Sequence, residues 1–398
     1  MPVFSTLAEL RGDPILGLSA QFREDSRGEK IDLGVGVYRS EGGETPIMEA
    51  VREATALLTQ QETTKAYLPP SGTPRFQSVV ARLVLGSENS VLASGRVTTL
   101  QSVGGSGALH VGARLIATRA PDAVVWIGNP TWANHAHLLG SAGVRLKEYP
   151  YYDSTTHSLD FDGLCKALAT AFAGDVVLLH GCCHNPSGAD LSLSQWHTLT
   201  ELVSNRKLVP FIDIAYLGLG MGIDEDAAGL RHMAENVPEM LIAVSFSKNF
   251  GLYRERAGAL IAVTEKPSTA KVVASHLGSI ARGVYSMPPA HGCALVETIL
   301  HSNELTSLWQ RELGDMRERI NGLRSSLAAS LGTATNKRDF TYLEDRLGMF
   351  CYLGLPVDAV TRLRKEHAIY MVDSSRINVA GINQHNLPRL VEALVAVL

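Results

Sequence analysis

The sequence predicts an α/β protein: a large domain with a mostly parallel sheet covered by helices, plus a smaller α+β domain built from the N-terminal arm and the C-terminal part. Three observations predict it. Short β-branched runs recur between about residues 95 and 265, at Val124-Ile127, Val176-Leu179, Val209-Ile212, Leu241-Phe246 and Ala259-Val263. Near-continuous apolar runs of that length, separated by helix-length connections, belong to parallel strands buried on both faces. Farther on, Leu305, Leu308, Trp309, Leu313, Met316, Ile320, Leu323, Leu327 and Leu331 keep steps of three and four, which puts one apolar stripe on a long helix that stops at Gly332. Finally, 398 residues are more than one hydrophobic core serves comfortably.

In chain order, residues 1–45 read as the N-terminal arm and part of the small domain, 46–304 as the large domain, 305–332 as a linking helix and 333–398 as the rest of the small domain. Within that last part lie a hydrophobic segment at Met349-Leu355, a helix near Asp358-His367 and a final helix near Leu387-Leu398. A composition of 45% hydrophobic and 19% charged residues describes an ordinary globular protein. The net charge of -4 includes no basic block, which argues against nucleic-acid or membrane partners and favours small molecules. Five cysteines with no C-x-x-C pair fit a reducing compartment, with the cytoplasm as the expectation. Met1-Asp13 mixes charges among apolar residues, unlike a signal peptide, and no segment reaches the roughly 20 apolar residues of a membrane span.

In open parallel sheets the ligand site lies outside the carboxyl ends of the strands, so the residues after each run matter most. Gly104-Gly105-Ser106-Gly107 precedes the helical pattern Ala108, Val111, Leu115. A glycine-rich entry into a helix offers free N–H groups to a phosphate, although a plain tight turn has the same composition. A dinucleotide would need an acidic residue at the end of the next strand, and Val124-Pro130 offers none. At His180-Gly181-Cys182-Cys183-His184-Asn185-Pro186-Ser187-Gly188, adjacent cysteines point apart if extended and match no usual zinc spacing. Asn185 is the expected functional group there; no metal is expected, and His180 and the cysteines read as packing.

Asp213 closes the run Phe211-Ile212, where a carboxylate needs a cationic partner such as a protonated pyridine nitrogen; a helix cap is the plainer alternative. Tyr216 lies three residues on. In Ser245-Phe246-Ser247-Lys248-Asn249-Phe250-Gly251, with Arg256 and Gly258 downstream, a lysine sits among hydroxyls and glycines. Lysine forms Schiff bases with carbonyl cofactors when its pKa is lowered, and the serines with Arg256 add phosphate donors. A lysine for an aldehyde, a carboxylate for a ring nitrogen, a phenol and a phosphate cup together match the needs of pyridoxal phosphate.

These residues resemble, over almost the whole chain, the aspartate and aromatic aminotransferases of fold type I. The matching segments are Gly34-Val35-Gly36-Val37-Tyr38, Gly104-Gly105-Ser106-Gly107-Ala108-Leu109, Asn129-Pro130-Thr131-Trp132, His184-Asn185-Pro186-Ser187-Gly188, Asp213-Ile214-Ala215-Tyr216, Ser245-Phe246-Ser247-Lys248-Asn249-Phe250 and Ser375-Arg376-Ile377-Asn378-Val379-Ala380-Gly381. The resemblance implies Lys248 as the lysine that carries pyridoxal phosphate and later moves a proton, Asp213 as the partner of the ring nitrogen, and Tyr216 and Asn185 as donors to the ring oxygen. It implies a phosphate cup of Gly105, Ser106, Ser245, Ser247 and Arg256, joined by Tyr67 from a second subunit of a homodimer, with Trp132 stacked on the ring.

By the same resemblance Arg376 clamps the substrate α-carboxylate, helped by the Gly36 backbone, and Arg282 reaches across the dimer to a distal carboxylate. The implied reaction is ping-pong exchange of an amino group between aspartate or aromatic amino acids and 2-oxoglutarate; a decarboxylase or lyase would use the same lysine and aspartate, but two arginines favour transamination. One departure stands out: Val284 and Met287 occupy positions near Arg282 where relatives commonly carry polar residues. A thioether is expected to give Arg282 little polar support and to pack against rings, whereas Val37, Arg39 and Thr45 look like the dicarboxylate-preferring members.

Overall fold

Seven strands pair in the order Val97–Val103, Ala257–Val263, Met240–Ser245, Val209–Ile214, Val176–His180, Val124–Asn129, Arg145–Pro150 in the computed structural model, which describes residues 3–9, 12 and 14–398. Of the N-terminal segment read above, Met1, Pro2, Leu10, Arg11 and Asp13 lie outside the described residues. Every pairing is parallel except those of Ala257–Val263, which runs antiparallel to both its neighbours.

The apolar runs are continuous because both faces are covered. Val177, Leu179, Ile212, Ile214 and Val244 pack into one core, while Val176, Leu178, Phe211, Leu241 and Ala243 pack into the other with the Gly104–Arg119 helix. Two strands were not foreseen. Both lie at edges of this sheet: Arg145–Pro150 is largely exposed, so burial does not demand an apolar run there, whereas Val97–Val103 is buried at Thr99, Leu100, Gln101 and Ser102 and breaks the apolar pattern because Gln101 and Ser102 donate to the carbonyls of Pro289 and Gly104.

The long helix runs Asn303–Ala334, about 48 Å at 1.5 Å per residue. Ser302 caps its start by accepting from the Leu305 amide, and its stripe from Leu305 to Leu331 is buried apart from the half-buried Leu308. Gly332 does not stop it. With no tertiary contact forcing a turn there, the glycine costs only its helix propensity, roughly 1 kcal/mol, and the chain leaves the helix two residues later. Beyond it, Phe350–Tyr352 pairs antiparallel with Arg376–Asn378, and Ile369–Tyr370 pairs in parallel with Ile31–Asp32 of the N-terminal arm. Asn378 Nδ2 donates to the carbonyls of Val35 and Val37, each at 2.7 Å, so the arm's glycine-valine segment is fastened to the C-terminal part beside the sheet's carboxyl rim.

Candidate active site

Strand direction explains why distant residues meet. Because Ala257–Val263 runs against its neighbours, its first residue and the preceding Arg256 lie at the same rim as the carboxyl ends of the parallel strands. His180 ends one of those strands, Asp213 pairs beside it one residue before the end of the next, and Ser245 ends a third. A cavity of about 210 Å³ opens at this rim, and every predicted site residue except Tyr67 and Arg282 lines it: Gly36, Gly105, Ser106, Trp132, Asn185, Asp213, Tyr216, Ser245, Ser247, Lys248, Arg256 and Arg376.

One end of the cavity is built for an anion. The helix starts at Gly104 itself, with no side chain capping its N-terminus, so its first N–H groups are left for a ligand. Gly104 has φ +64°, and a Cβ there would meet Arg256 Nη2 at 2.7 Å; one on Gly105 would stand 3.0 Å from Ser245 Cβ. The missing side chains let the helix end and guanidinium close together. Arg256 Nη1 donates to Ser247 Oγ at 3.3 Å and to the Tyr253 carbonyl at 3.0 Å, and Ser245 Oγ donates to Ser247 Oγ at 3.1 Å. Among the described residues no carboxylate forms an ion pair with Arg256.

At the sheet side, Asp213 lies within a strand and caps no helix, which removes the plainer reading of that residue. Its Oδ2 is 3.1 Å from His135 Nε2, and His135 Nδ1 is 2.8 Å from Thr131 Oγ1. A carboxylate only accepts, so Nε2 carries the proton and Nδ1 accepts from the threonine hydroxyl. Burial pushes the Asp213 carboxyl up, but the His135 hydrogen bond, the electrostatic influence of His135 and His180 and the charge of Lys248 outweigh it and hold the group below the usual carboxylate range. The Lys248 amine lies 5.0 Å from the Tyr216 ring centroid. Burial lowers its pKa to about 8; Asp213 acts upward and Arg256 downward. Burial likewise pushes the Tyr216 phenol well up, so it is a neutral donor.

The opposite end holds Arg376, which is buried. Its Nη2 donates to the Gly34 carbonyl at 2.7 Å, its Nη1 to Asn185 Oδ1 at 3.3 Å, and its guanidinium lies 4.3 Å from the Phe350 ring centroid. Gly36 fits against that same ring, where a Cβ would be 2.8 Å from Phe350 Cζ. Tyr67 is 88% exposed and away from the cavity. Arg282 is also outside; its Nη1 donates to Ser286 Oγ at 2.5 Å and to Met287 Sδ at 3.0 Å. The expectation that Met287 would withhold polar support is therefore corrected: left-handed Ser286, at φ +68°, turns the chain so that hydroxyl and sulfur both face the arginine.

A second correction concerns Cys182 and Cys183. They do not point apart, because Cys183 has φ +51° rather than an extended backbone, and the two side chains hydrogen-bond. His135 was missed: it sits on the Asn134–Ser141 helix, outside every strand ending. No local pattern marked it: Thr131 lies in the loop before that helix, and only the fold brings its hydroxyl to the His135 ring. His180, read as packing, in fact lines the cavity, and its Nε2 has no partner among the described residues.

The pattern for "Aminotransferase class I and II" matches residues 28–394. The chain belongs to that family. This aminotransferase is 44% identical to the aspartate aminotransferase of Salmonella typhi over 396 residues, covering 100% of both chains. It is 47% identical to the tyrosine aminotransferase of Rhizobium meliloti over 380 residues, 96% of each. Among solved structures, the aromatic-amino-acid aminotransferase of Burkholderia pseudomallei, covalently bound to pyridoxal phosphate, superposes with a TM-score of 0.98 at 44% identity and full coverage of both chains.

Proposed function

We propose that this aminotransferase uses pyridoxal 5'-phosphate to exchange the amino group of aspartate, tyrosine or phenylalanine with 2-oxoglutarate in a ping-pong cycle. The observation that carries the reading is one cavity in which a lysine with lowered pKa and a charged aspartate lie between an arginine that has no carboxylate partner among the described residues and a second, buried arginine. The cofactor's parts fit these residues. Gly105, Ser106, Ser245, Ser247 and Arg256 would hold the phosphate, Asp213 the ring N–H, Tyr216 and Asn185 the ring oxygen, and Trp132 one face of the ring.

When bound, pyridoxal phosphate supplies an electron-withdrawing ring that loosens the substrate Cα–H bond. Lys248 would hold the cofactor's aldehyde carbon and would serve as the base that moves the substrate Cα proton; an amine with a pKa near 8 is a usable base near neutral pH. Asp213 would hold the ring N–H, and His135 keeps Asp213 charged and oriented. Arg376 takes the α-carboxylate with a planar fork of donors, positioned by Gly34, Asn185 and Phe350. A decarboxylase or lyase is not favoured, since full-length similarity runs to aspartate and tyrosine aminotransferases.

We further infer a cytoplasmic homodimer in which Tyr67 completes the partner's phosphate cup and Arg282 meets the partner's distal substrate group. Both side chains are exposed on the single chain, which supports that reading. The division into an arm at 1–45, a large domain at 46–304, a linking helix and a small domain at 333–398 is part of the same proposal, with the helix now bounded at Asn303 and Ala334.

The test is a single-turnover measurement of the cofactor's absorbance change from aldehyde to amine form, with aspartate and tyrosine in parallel, followed by return with 2-oxoglutarate. Conversion by either amino acid and return by 2-oxoglutarate is expected. No change with any of them refutes the assignment.

A further inference from the structure

Just past the Val176–His180 strand, and outside the residues that line the cavity described above, a second constellation is left unused by transamination. Cys182 Sγ, Cys183 Sγ and an Asp226 carboxylate oxygen all lie within 4.8 Å of one another, and all three residues are buried. Their placement is enforced by the backbone. The successive N–H groups of Cys183 and His184 both donate to Asp190, at 2.6 and 2.7 Å, which holds Cys183 at φ +51° and turns its thiol to the side of Cys182. Asp226 is fixed from the opposite loop, accepting from the amides of Gly218, Gly220 and Met221 at 2.8, 2.9 and 2.8 Å.

We propose that Cys182, Cys183 and Asp226 form a binding site for a thiophilic divalent ion with a filled d shell, such as Cd²⁺ or Zn²⁺. Two thiolates at about 2.3 Å from a tetrahedral ion stand about 3.8 Å apart, and a carboxylate oxygen at about 2.0–2.2 Å is closer still to each sulfur, so the three groups need only small rotations to close on one centre. The fourth position faces a cavity of about 440 Å³ lined by Cys182 and Asp226, whose mouth carries the exposed Met221 and Glu225. This gives the ion an entry path and room for a water ligand.

Charge also fits. Binding converts two thiols to thiolates and releases two protons to solvent through the cavity, while no electron changes hands. Two thiolates and one carboxylate exceed a divalent ion by one negative charge; burial and the nearby Asp226 and Asp190 carboxylates hold both thiols above the usual thiol range, a cost that the ion's own charge must offset, while the Arg324 guanidinium, 2% exposed, acts on Cys183 with the opposite sign. Soft sulfur donors select such ions over Mg²⁺ or Ca²⁺.

The probe is Cd²⁺ added to the pyridoxal-phosphate-loaded full chain. The expected result is one equivalent bound, with sulfur-to-metal charge-transfer absorbance, two protons released per ion, and a cadmium nuclear resonance in the range of mixed sulfur and oxygen donors. Cys182→Ser and Cys183→Ser should each weaken binding at least tenfold, while Cys165→Ser, at the remaining partly buried thiol, leaves it unchanged. Asp226 also anchors a loop, so Asp226→Asn is read only if the variant keeps its melting temperature. The proposal is overturned if Cd²⁺ does not bind, if the resonance indicates oxygen and nitrogen donors alone, or if binding survives loss of both vicinal cysteines.

Discussion

The neutral fraction of Lys248 is the quantity on which the chemistry turns, and it is measurable without the reaction. In the cofactor-free chain its pKa is lowered to about 8, so about 9% of the amine is neutral at pH 7, against about 0.04% for an ordinary lysine at about 10.4. Lys248 should therefore have roughly 200-fold more of its amine in the reactive neutral form at pH 7 than a surface lysine, and should react with a trace electrophile faster than a surface lysine of equal access, by less than that ratio because a less basic amine is also a weaker nucleophile. Competitive labelling across pH, read peptide by peptide by mass spectrometry, should give Lys248 a midpoint near 8. Removing the opposing charge with Asp213→Asn should move that midpoint down, and removing the like charge with Arg256→Gln should move it up, since the two act in opposite directions. The linkage has a definite sign: between about pH 8 and 10.5 the unfolded chain binds a proton that the folded one does not, so the cofactor-free protein should gain stability as pH rises through that window. A Lys248 midpoint above 10, or no response to either substitution, would refute the assignment of burial as the cause.

Other consequences follow from single contacts. His135→Phe removes the donor to Asp213, a hydrogen bond to a charged group, so cofactor retention should weaken by about 1.5–3 kcal/mol, or roughly 10- to 150-fold; the rate of cofactor release from the desalted holoenzyme checks this. Gly36→Ala puts a Cβ 2.8 Å from Phe350 Cζ, displacing the ring that underlies Arg376; KM for every amino acid should rise while the cofactor spectrum stays unchanged. Gly258→Ala would bring a Cβ to 2.5 Å from the Gly104 carbonyl carbon, and overpacking of this kind costs about 1–3 kcal/mol, seen as a lower melting temperature with weaker phosphate binding. Mixing Tyr67→Phe and Lys248→Ala chains should give hybrids with one fully wild-type site if Tyr67 acts across a dimer; activity no higher than that of the separate variants would contradict the shared site.

Much of this protein was legible in the sequence, and the reasons are local. A strand covered on both faces has to be apolar at every position, so the buried strands declare themselves, and the groups that end them, Asp213, Ser245 and Lys248, stand out as costly polar residues in apolar surroundings. The stripe from Leu305 to Leu331 fixed a helix by period alone. What no local pattern contained is the set of relations between elements. The antiparallel direction of Ala257–Val263, which carries Arg256 to the rim of the parallel strands, follows from pairing with two distant strands. His135 is an unremarkable helical histidine until the fold sets it 3.1 Å from Asp213. The left-handed turn at Cys183 depends on Asp190 accepting two successive amides, and the support of Arg282 by Met287 depends on the turn at Ser286. Burial and period act between neighbours in sequence and can be read there, whereas direction, approach and hydrogen-bond partnership act between residues far apart in the chain, and only the packed structure decides them.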